Sequence, residues 1–194
     1  MIDKKDITGI ILAGGKSSRM GTDKSFLSLK GKPFVQYSID ALKPLVSEII
    51  IVSDNEAYNG FGLKRVNDII KNAGPVSGIY SGLEASTTEY NLILSCDIPL
   101  INSEILEKLI NAIDDCSEII QIESNCKTMP LIALYKKSCK IKFLKLLEKD
   151  ERRLRIAIKS CKSKNIVLEK EHEFSTMNVN TQNELKAIKN AYNH

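Results

Sequence analysis

The sequence is poor in the residues that build transition-metal and redox centres. Its two histidines are His172 and His194, so a histidine-rich metal site is not expected. The five cysteines are odd in number, and none stands in a Cys-x-x-Cys pair, which excludes the common zinc and redox motifs. We therefore predict reduced thiols that act as small apolar residues.

Long apolar runs are missing as well. No stretch approaches the roughly 18 apolar residues that a membrane-spanning helix needs. Residues 1–6 are polar and lack the basic, apolar and small-residue pattern of a secretory signal. These two absences predict a cytoplasmic protein without a membrane partner.

Positive charge is concentrated in one block. The net charge is +4, yet residues 136–164 carry twelve Lys/Arg against three Asp/Glu. Such a block can hold an anionic ligand, and a solvated lysine face is an equally good interpretation. Phe143 is the single aromatic residue of the block, so platforms for base stacking are missing and we expect no nucleic-acid partner.

Short apolar runs alternate with helical patterns along the chain. This alternation predicts one domain over residues 1–194, an α/β Rossmann-like three-layer sandwich with a mostly parallel central sheet. Ligands of such sheets bind at the carboxyl ends of the strands. The pattern predicts strands at 7–12, 48–53, 63–66, 90–96, 119–122 and 131–134, and helices at 33–43, 77–86, 102–113, 139–148, 154–159 and 181–191.

A glycine-rich loop follows the first predicted strand and reads LAGGKSSRMGTDK from Leu12 to Lys24. Gly14 and Gly15 allow backbone N–H groups to approach a phosphate closely, and Arg19 and Lys24 add two cations. The loop matches neither the P-loop nor the dinucleotide fingerprint. An ordinary strand-to-helix turn is the alternative, but the two cations favour phosphate binding.

Two aspartates are candidates for the same site. Asp97 directly follows the strand at 90–96, and a carboxylate there suits Mg²⁺, which takes one or two carboxylates with phosphates and water. The alternative is an Asx turn before Pro99. Asp68 can accept hydrogen bonds from the ring N–H and amino group of a guanine, or it can simply cap a turn.

The glycine-rich loop resembles the signature of the nucleotidyltransferases that activate sugars, alditols and cofactors. Its Asp23-Lys24 ending is most similar to that of the molybdenum cofactor guanylyltransferases. Further segments resemble the family in the same order: KGKP at 30–33, Asp68 followed by GPVSGI at 74–79, CDIP at 96–99, ERRL at 151–154 and MNVNT at 177–181.

The resemblance implies a nucleotide-diphospho-sugar transferase-like fold and transfer of GMP from GTP to molybdenum-molybdopterin, with release of pyrophosphate and Mg²⁺ as cofactor. It also implies handover of the product to a molybdoenzyme or its chaperone. The nucleotide-binding part would span about residues 1–100 and the acceptor-binding part about 101–194. The site residues are the nucleotide contacts Leu12, Ala13, Gly14, Gly15, Lys24 and Asp68, the catalytic residues Arg19, Lys24 and Asp97, the Mg²⁺ ligand Asp97, and the acceptor contacts Asn178 and Asn180.

One arginine of the basic block is expected to clamp the phosphate of the acceptor, and among Arg152, Arg153 and Arg155 we choose Arg153. The chain departs from the family where Met129 stands in place of a frequent histidine, and where Gln182 and Asn183 follow Asn180-Thr181 in place of proline and acidic residues. These departures leave three alternatives open: a related enzyme that uses CTP, one with a sugar or alditol phosphate acceptor, and a non-catalytic nucleotide-binding module.

Overall fold

The structure is a computed structural model that describes residues 2–14 and 27–191. Short apolar segments form strands, and longer segments with a three-to-four-residue period form helices, as the sequence pattern predicts. The strands are β1 Ile7–Leu12, β2 Ser28–Leu29, β3 Lys32–Pro33, β4 Glu48–Val52, β5 Lys64–Val66, β6 Tyr90–Ser95, β7 Ile119–Ser124, β8 Lys127–Lys136 and β9 Ser163–Val167. The α-helices are α1 Phe34–Leu42, α2 Gly74–Ala85, α3 Ser103–Asn111, α4 Cys139–Leu147, α5 Leu154–Lys159 and α6 Gln182–Ala191.

Seven of these strands form one sheet in the order β5-β4-β1-β6-β8-β7-β9. Neighbouring pairs are parallel except those that involve β8, which runs antiparallel to both β6 and β7. The central strand β1 places Ile10 opposite Ile50 of β4 and Ile93 of β6. The predicted mostly parallel α/β sheet is therefore confirmed.

Both faces of the sheet are covered, and this explains the continuous apolar runs in its strands. Ile11 of β1 belongs to the core on the side of α1 and α3, whereas Ile10 belongs to the core on the side of α2 and α4. Both side chains are fully buried. Each such burial stabilises the fold by roughly 1.5–3 kcal/mol, so the strands are held from two sides.

Helix α2 packs unusually close to β1. A Cβ atom added at Gly82 would lie 2.5 Å from Cγ2 of Ile10, which is nearer than real side chains come. The glycine lets the helix rest directly on the strand, and the first turn of α2 is thereby fixed beside the carboxyl end of β1. This placement matters for the site described below.

Several boundaries differ from the sequence pattern. Helix α2 begins at Gly74 and carries Pro75 in its first turn, where a missing N–H costs nothing, whereas the pattern predicts a start at 77. Strand β9 was not predicted, because its SKNIV sequence is half exposed and only weakly apolar. Helix α3 begins as the pattern indicates, and Asn102 caps it, since Oδ1 of Asn102 accepts a hydrogen bond from Ile105 N at 3.0 Å.

The structure also shows the state of the cysteines and the length of the helices. All five cysteines are reduced thiols, with Cys96, Cys139 and Cys161 buried and Cys116 and Cys126 exposed. Within residues 2–14 and 27–191, the helices are too short and too polar to cross a bilayer.

Candidate functional site

A cavity of about 670 Å³ opens at the carboxyl edge of the parallel strands. It lies where the strand order reverses, between β1 and β6, which is the usual ligand position of such sheets. The ends of β1, β4 and β6 and the first turn of α2 form its walls. Its lining comprises Leu12, Ala13, Gly14, Val52, Ser53, Asp54, Asn55, Asp68, Asn72, Gly74, Pro75, Gly78, Ser95, Asp97 and Leu131.

The end of β1 is held between its two neighbours. Ala13 N donates to the carbonyl oxygen of Val52 at 3.0 Å, and Cys96 N donates to that of Leu12 at 3.2 Å. The chain then leaves the sheet at Gly14, which is exposed and has no atom within 4 Å of the position of a Cβ. The predicted nucleotide contacts Leu12, Ala13 and Gly14 thus border the cavity, whereas Gly15, Arg19 and Lys24 lie outside the described residues.

Asp68 also lines the cavity and is held by two serines of α2. The hydroxyls of Ser77 and Ser81 donate to its Oδ1 at 3.0 and 3.3 Å. Burial raises the pKa of Asp68, although the two serine hydrogen bonds act in the other direction. A half-buried carboxylate fixed through one oxygen can offer its other oxygen to the N–H or O–H groups of a ligand.

A second aspartate fixes the main chain of the first. Asp54 Oδ1 accepts a hydrogen bond from Asp68 N at 3.2 Å and pairs with Lys71, which lowers the pKa of Asp54 below its usual value. Arg65 Nη1 donates to the carbonyl oxygen of Ser53 at 2.8 Å. The loops after β4 and β5 are therefore joined by polar contacts, and this wall of the cavity is built before a ligand arrives.

Asp97 lies just after the end of β6 and lines the cavity there. Its half-buried side chain lines the cavity, and its carbonyl oxygen accepts a hydrogen bond from Val179 N at 2.8 Å. Its carboxylate faces a space large enough for phosphates, and a carboxylate with phosphate and water oxygens is the donor set that Mg²⁺ prefers. The residues present thus fit a magnesium ion.

A second cavity of about 740 Å³ adjoins the first at Leu131, which lines both. Its walls come from the β7–β8 hairpin, the 3₁₀ segment Lys170–Thr176 and the segment that precedes α6. The predicted acceptor contacts Asn178 and Asn180 line it, as does Met129, which stands where the family often has histidine.

The predicted acceptor contact Arg153 lies elsewhere. Its side chain is 71% exposed, pairs with Glu151, and is not among the residues that line either cavity. This pairing lowers the pKa of Glu151 to about 2. Other cations of the basic block are also paired, namely Lys140 with Glu84, Lys142 with Glu118, Arg152 with Asp150 and Lys164 with Asp114.

Comparison with known proteins agrees with this geometry. Residues 9–164 match the family model described as the MobA-like NTP transferase domain. The chain belongs to this family. The match includes both cavity-forming strand ends after β1 and β6, so the aspartate and glycine motifs lie inside the family domain.

Two relatives match the chain over nearly its full length. A protein of Flavobacterium johnsoniae named "Probable molybdenum cofactor guanylyltransferase" is 35% identical over 94% of this chain and 96% of its own. The molybdenum cofactor guanylyltransferase of Vibrio campbellii is 30% identical over 95% of this chain and 96% of its own.

Solved structures show the same fold. The molybdopterin-guanine dinucleotide biosynthesis protein A of Archaeoglobus fulgidus superposes with a TM-score of 0.79 at 19% identity, over 96% of this chain and 98% of its own. The 4-diphosphocytidyl-2C-methyl-D-erythritol synthase of Anaerococcus prevotii reaches 0.73 at 16% identity, over 100% and 98%. The predicted nucleotide-diphospho-sugar transferase-like fold is confirmed.

Proposed function

We propose that this protein transfers GMP from GTP to molybdenum-molybdopterin and releases pyrophosphate. The observation that carries the proposal is the position of Asp97 between two adjoining cavities. Its side chain lines the first cavity, and its carbonyl oxygen binds the segment that presents Asn178 and Asn180 to the second. A triphosphate in the first cavity would therefore have its α-phosphate beside an acceptor in the second.

The first cavity supports a purine nucleotide. Its volume suits a ligand of that size, and its lining combines backbone at Leu12, Ala13 and Gly14 with the carboxylate of Asp68. Oδ1 of Asp68 is engaged by serine hydroxyls, so the second oxygen is the natural acceptor for the N–H groups of guanine. Cytosine offers a single amino group in place of this pair of donors.

The reaction needs little acid–base chemistry. A phosphate monoester of the acceptor is already a nucleophile at neutral pH; its oxygen forms a bond to the α-phosphorus of GTP. The bond between the α-phosphorus and the bridging oxygen to the β-phosphate breaks, and pyrophosphate leaves with the electron pair. The obstacle is the approach of two anions, so catalysis consists mainly of positioning and charge neutralisation.

Charge neutralisation falls to three groups of this chain. Asp97 would hold Mg²⁺, which supplies positive charge to the phosphate oxygens when it is bound. Lys24 and Arg19 follow Gly14 and Gly15 in the sequence, and we propose that these two cations bind the phosphates. Asn178 and Asn180 orient the acceptor through amide hydrogen bonds.

The names of the relatives support the choice of acceptor and base, since those of Flavobacterium johnsoniae and Vibrio campbellii both refer to molybdenum cofactor guanylyl transfer. We also propose that the protein acts in the cytoplasm and hands its product to a molybdoenzyme or its chaperone, as the resemblance implies.

Nucleotide choice is tested by isothermal titration of the purified protein with GTP, CTP, ATP and UTP, each with and without Mg²⁺. We expect GTP to bind at least tenfold more tightly than CTP, because an unpaired carboxylate or amide in the pocket costs about 1.4 kcal/mol or more. A preference for CTP would assign the chain to a related cytidylyltransferase.

Turnover is tested by incubating the protein with Mg·GTP and molybdenum-loaded molybdopterin, and by following pyrophosphate release together with the dinucleotide product. Equal concentrations of ribitol phosphate or glucose 1-phosphate serve as control acceptors. Pyrophosphate release with a sugar phosphate but not with molybdopterin would show that the acceptor is a sugar phosphate. Tight GTP binding without turnover on any of them would indicate a non-catalytic module.

A further inference from the structure

The segment that lines the second cavity is tied to the last helix by a reciprocal pair of hydrogen bonds. Glu184 N donates to Oγ1 of Thr181 at 3.2 Å, and Thr181 N donates to Oε2 of Glu184 at 2.8 Å. This is the capping box of a helix that begins at Gln182, with threonine at the N-cap and glutamate three residues later. By itself it explains only how α6 begins.

Glu184 makes contacts that a capping box does not require. The same oxygen, Oε2, also accepts hydrogen bonds from Asn180 N at 2.7 Å and from Oγ1 of Thr181 at 3.0 Å. Asn180 lies before the helix and lines the second cavity. The carboxylate therefore holds main chain that belongs to the cavity wall as well as the first turn of α6.

The other side of the segment is fixed by Val179. Its N–H donates to Asp97, and its side chain is fully buried in a cluster with Leu29, Phe34, Leu185 and Ile188. Asn178 and Asn180 flank this buried residue, and both line the cavity. The segment 178–181 thus has one anchor on the loop that carries Asp97 and a second on Glu184.

We infer that Glu184 is a positioning residue that sets the acceptor-binding segment 178–181 against the loop of Asp97. The inference rests on the proposed function for the identity of the acceptor. Charge-assisted hydrogen bonds to backbone N–H groups are among the stronger contacts of a protein, so loss of this carboxylate removes the bond to Asn180 N and loosens the segment while Val179 stays anchored. The affinity for the acceptor then falls, and the nucleotide cavity keeps its lining.

The chain offers a closely matched control. The carboxylate of Asp114 accepts hydrogen bonds from Cys116 N at 3.0 Å, Ser117 N at 2.6 Å and Ser117 Oγ at 3.1 Å, which are the same kinds of donor that Glu184 binds. Asp114 precedes β7, at the amino edge of the sheet and away from both cavities. Asp114→Ala therefore loses the same kinds of hydrogen bond as Glu184→Ala in a different place, together with the ion pair between Asp114 and Lys164.

The test compares both variants and Glu184→Gln with the unmodified protein in steady-state GMP transfer to molybdopterin. We expect Glu184→Ala to raise the KM for molybdopterin about tenfold, as the loss of one charge-assisted hydrogen bond would, while the Kd for GTP and kcat change less than about twofold. Glu184→Gln keeps an acceptor oxygen and should recover most of the affinity. Asp114→Ala should leave the KM for molybdopterin, the Kd for GTP and kcat unchanged.

Amide hydrogen exchange provides a readout that is independent of the acceptor. The amides of Asn180 and Thr181 should exchange on the order of tenfold faster in Glu184→Ala, because their partner is lost and local opening becomes easier. Unchanged exchange of these amides, or a normal KM for molybdopterin in Glu184→Ala, overturns the inference. If the unmodified protein transfers no GMP to molybdopterin, the proposed function fails, and the exchange rates still decide the role of Glu184.

Discussion

The two adjoining cavities are built in different ways. The first is walled by the ends of parallel strands, which ladder hydrogen bonds and cores on both faces hold in place. The second is walled on one side by the β7–β8 hairpin of the same sheet. Its other walls are a 3₁₀ segment and the irregular stretch before α6, and this stretch depends on side-chain contacts such as those of Glu184. Under the proposed function, the nucleotide would bind against the strand ends, and the acceptor would bind partly against a segment that a few substitutions can reshape.

The departures from the family pattern follow the same division. Met129 lines the second cavity, and Gln182 and Asn183 open the helix that supports it. The described residues of the glycine loop and Asp97, which lie in motifs that resemble the family, line the first cavity. We therefore expect this protein to differ from its relatives more in the KM for the acceptor than in the Kd for the nucleotide.

The largest effect is expected at Asp97, which lines the first cavity and whose carbonyl oxygen binds the segment of the second. Asp97→Ala should reduce Mg²⁺-dependent GMP transfer by roughly 10²–10³-fold, because the carboxylate that would hold the metal charge is lost. The melting temperature should change little, since the bond from Val179 N goes to the main-chain carbonyl. Transfer rates across a Mg²⁺ titration and a thermal melt provide the measurement.

Asp97→Asn is the control for shape, because it keeps the volume and one oxygen but removes the negative charge. It should be nearly as inactive as the alanine variant. Near-normal turnover in either variant would show that the metal is held by another group.

A smaller effect is expected at Asp68, where one substitution should weaken GTP binding and stabilise the fold. Asp68→Asn should weaken GTP binding about tenfold, since an amide cannot replace the carboxylate oxygen that accepts the guanine donors. The same change should raise the free energy of unfolding at neutral pH. The amide oxygen still accepts hydrogen bonds from Ser77 and Ser81, and the cost of burying a charge disappears.

The sign of the pH dependence follows from the raised pKa of Asp68. The folded protein binds this proton more tightly than the unfolded chain, so the favourable contribution is complete below the unfolded pKa of about 3.9 and is lost as the pH rises through the higher folded pKa. The stability advantage of Asp68→Asn should therefore be small near pH 4 and larger at pH 7. Denaturant titrations of both proteins at several pH values measure it, and an advantage that shrinks with rising pH would contradict the assignment.

The smallest effect is expected at Arg153. It is exposed and paired with Glu151, a neighbour two residues away, so Arg153→Ala should change the KM for molybdopterin less than about twofold and leave the melting temperature nearly unchanged. Lys127→Ala, at a lysine that lines the second cavity, is the comparison variant. A tenfold rise in KM for Arg153→Ala would restore the sequence-based prediction that it clamps the acceptor.

The sequence predicted the sheet well because buried strands produce continuous apolar runs. Ile7–Leu12 was predicted with its observed ends, and the predicted strands at 119–122 and 131–134 are confirmed as parts of a longer hairpin. Strand β9 has no such signal, since only alternate residues of it are partly buried. Its place is determined by pairing with β7, a contact that local pattern does not encode.

The sequence predicted the part of the candidate site that lies in recognisable motifs, but not the side-chain contacts that hold it. The sequence located Asp68 but gave no sign of Ser77 and Ser81 as its partners, because the fold of the loop between Asp68 and the helix was unknown. These serines lie four residues apart, on one face of both the predicted and the observed helix, so the pattern could suggest a shared partner but not which residue it is. The Thr181-x-x-Glu184 signature was also readable, but the additional bond to Asn180 required the structure.

The outer strands of the sheet have a consequence for the behaviour of the protein at high concentration. Strands β5 and β9 end the sheet, and each leaves a row of peptide groups that could pair with a strand of another molecule. Both are short, and each carries a lysine, Lys64 in β5 and Lys164 in β9, that folds back onto a carbonyl oxygen of its own chain. A neighbouring strand would have to displace these charged side chains, so the sheet is protected against growth into aggregates from either end.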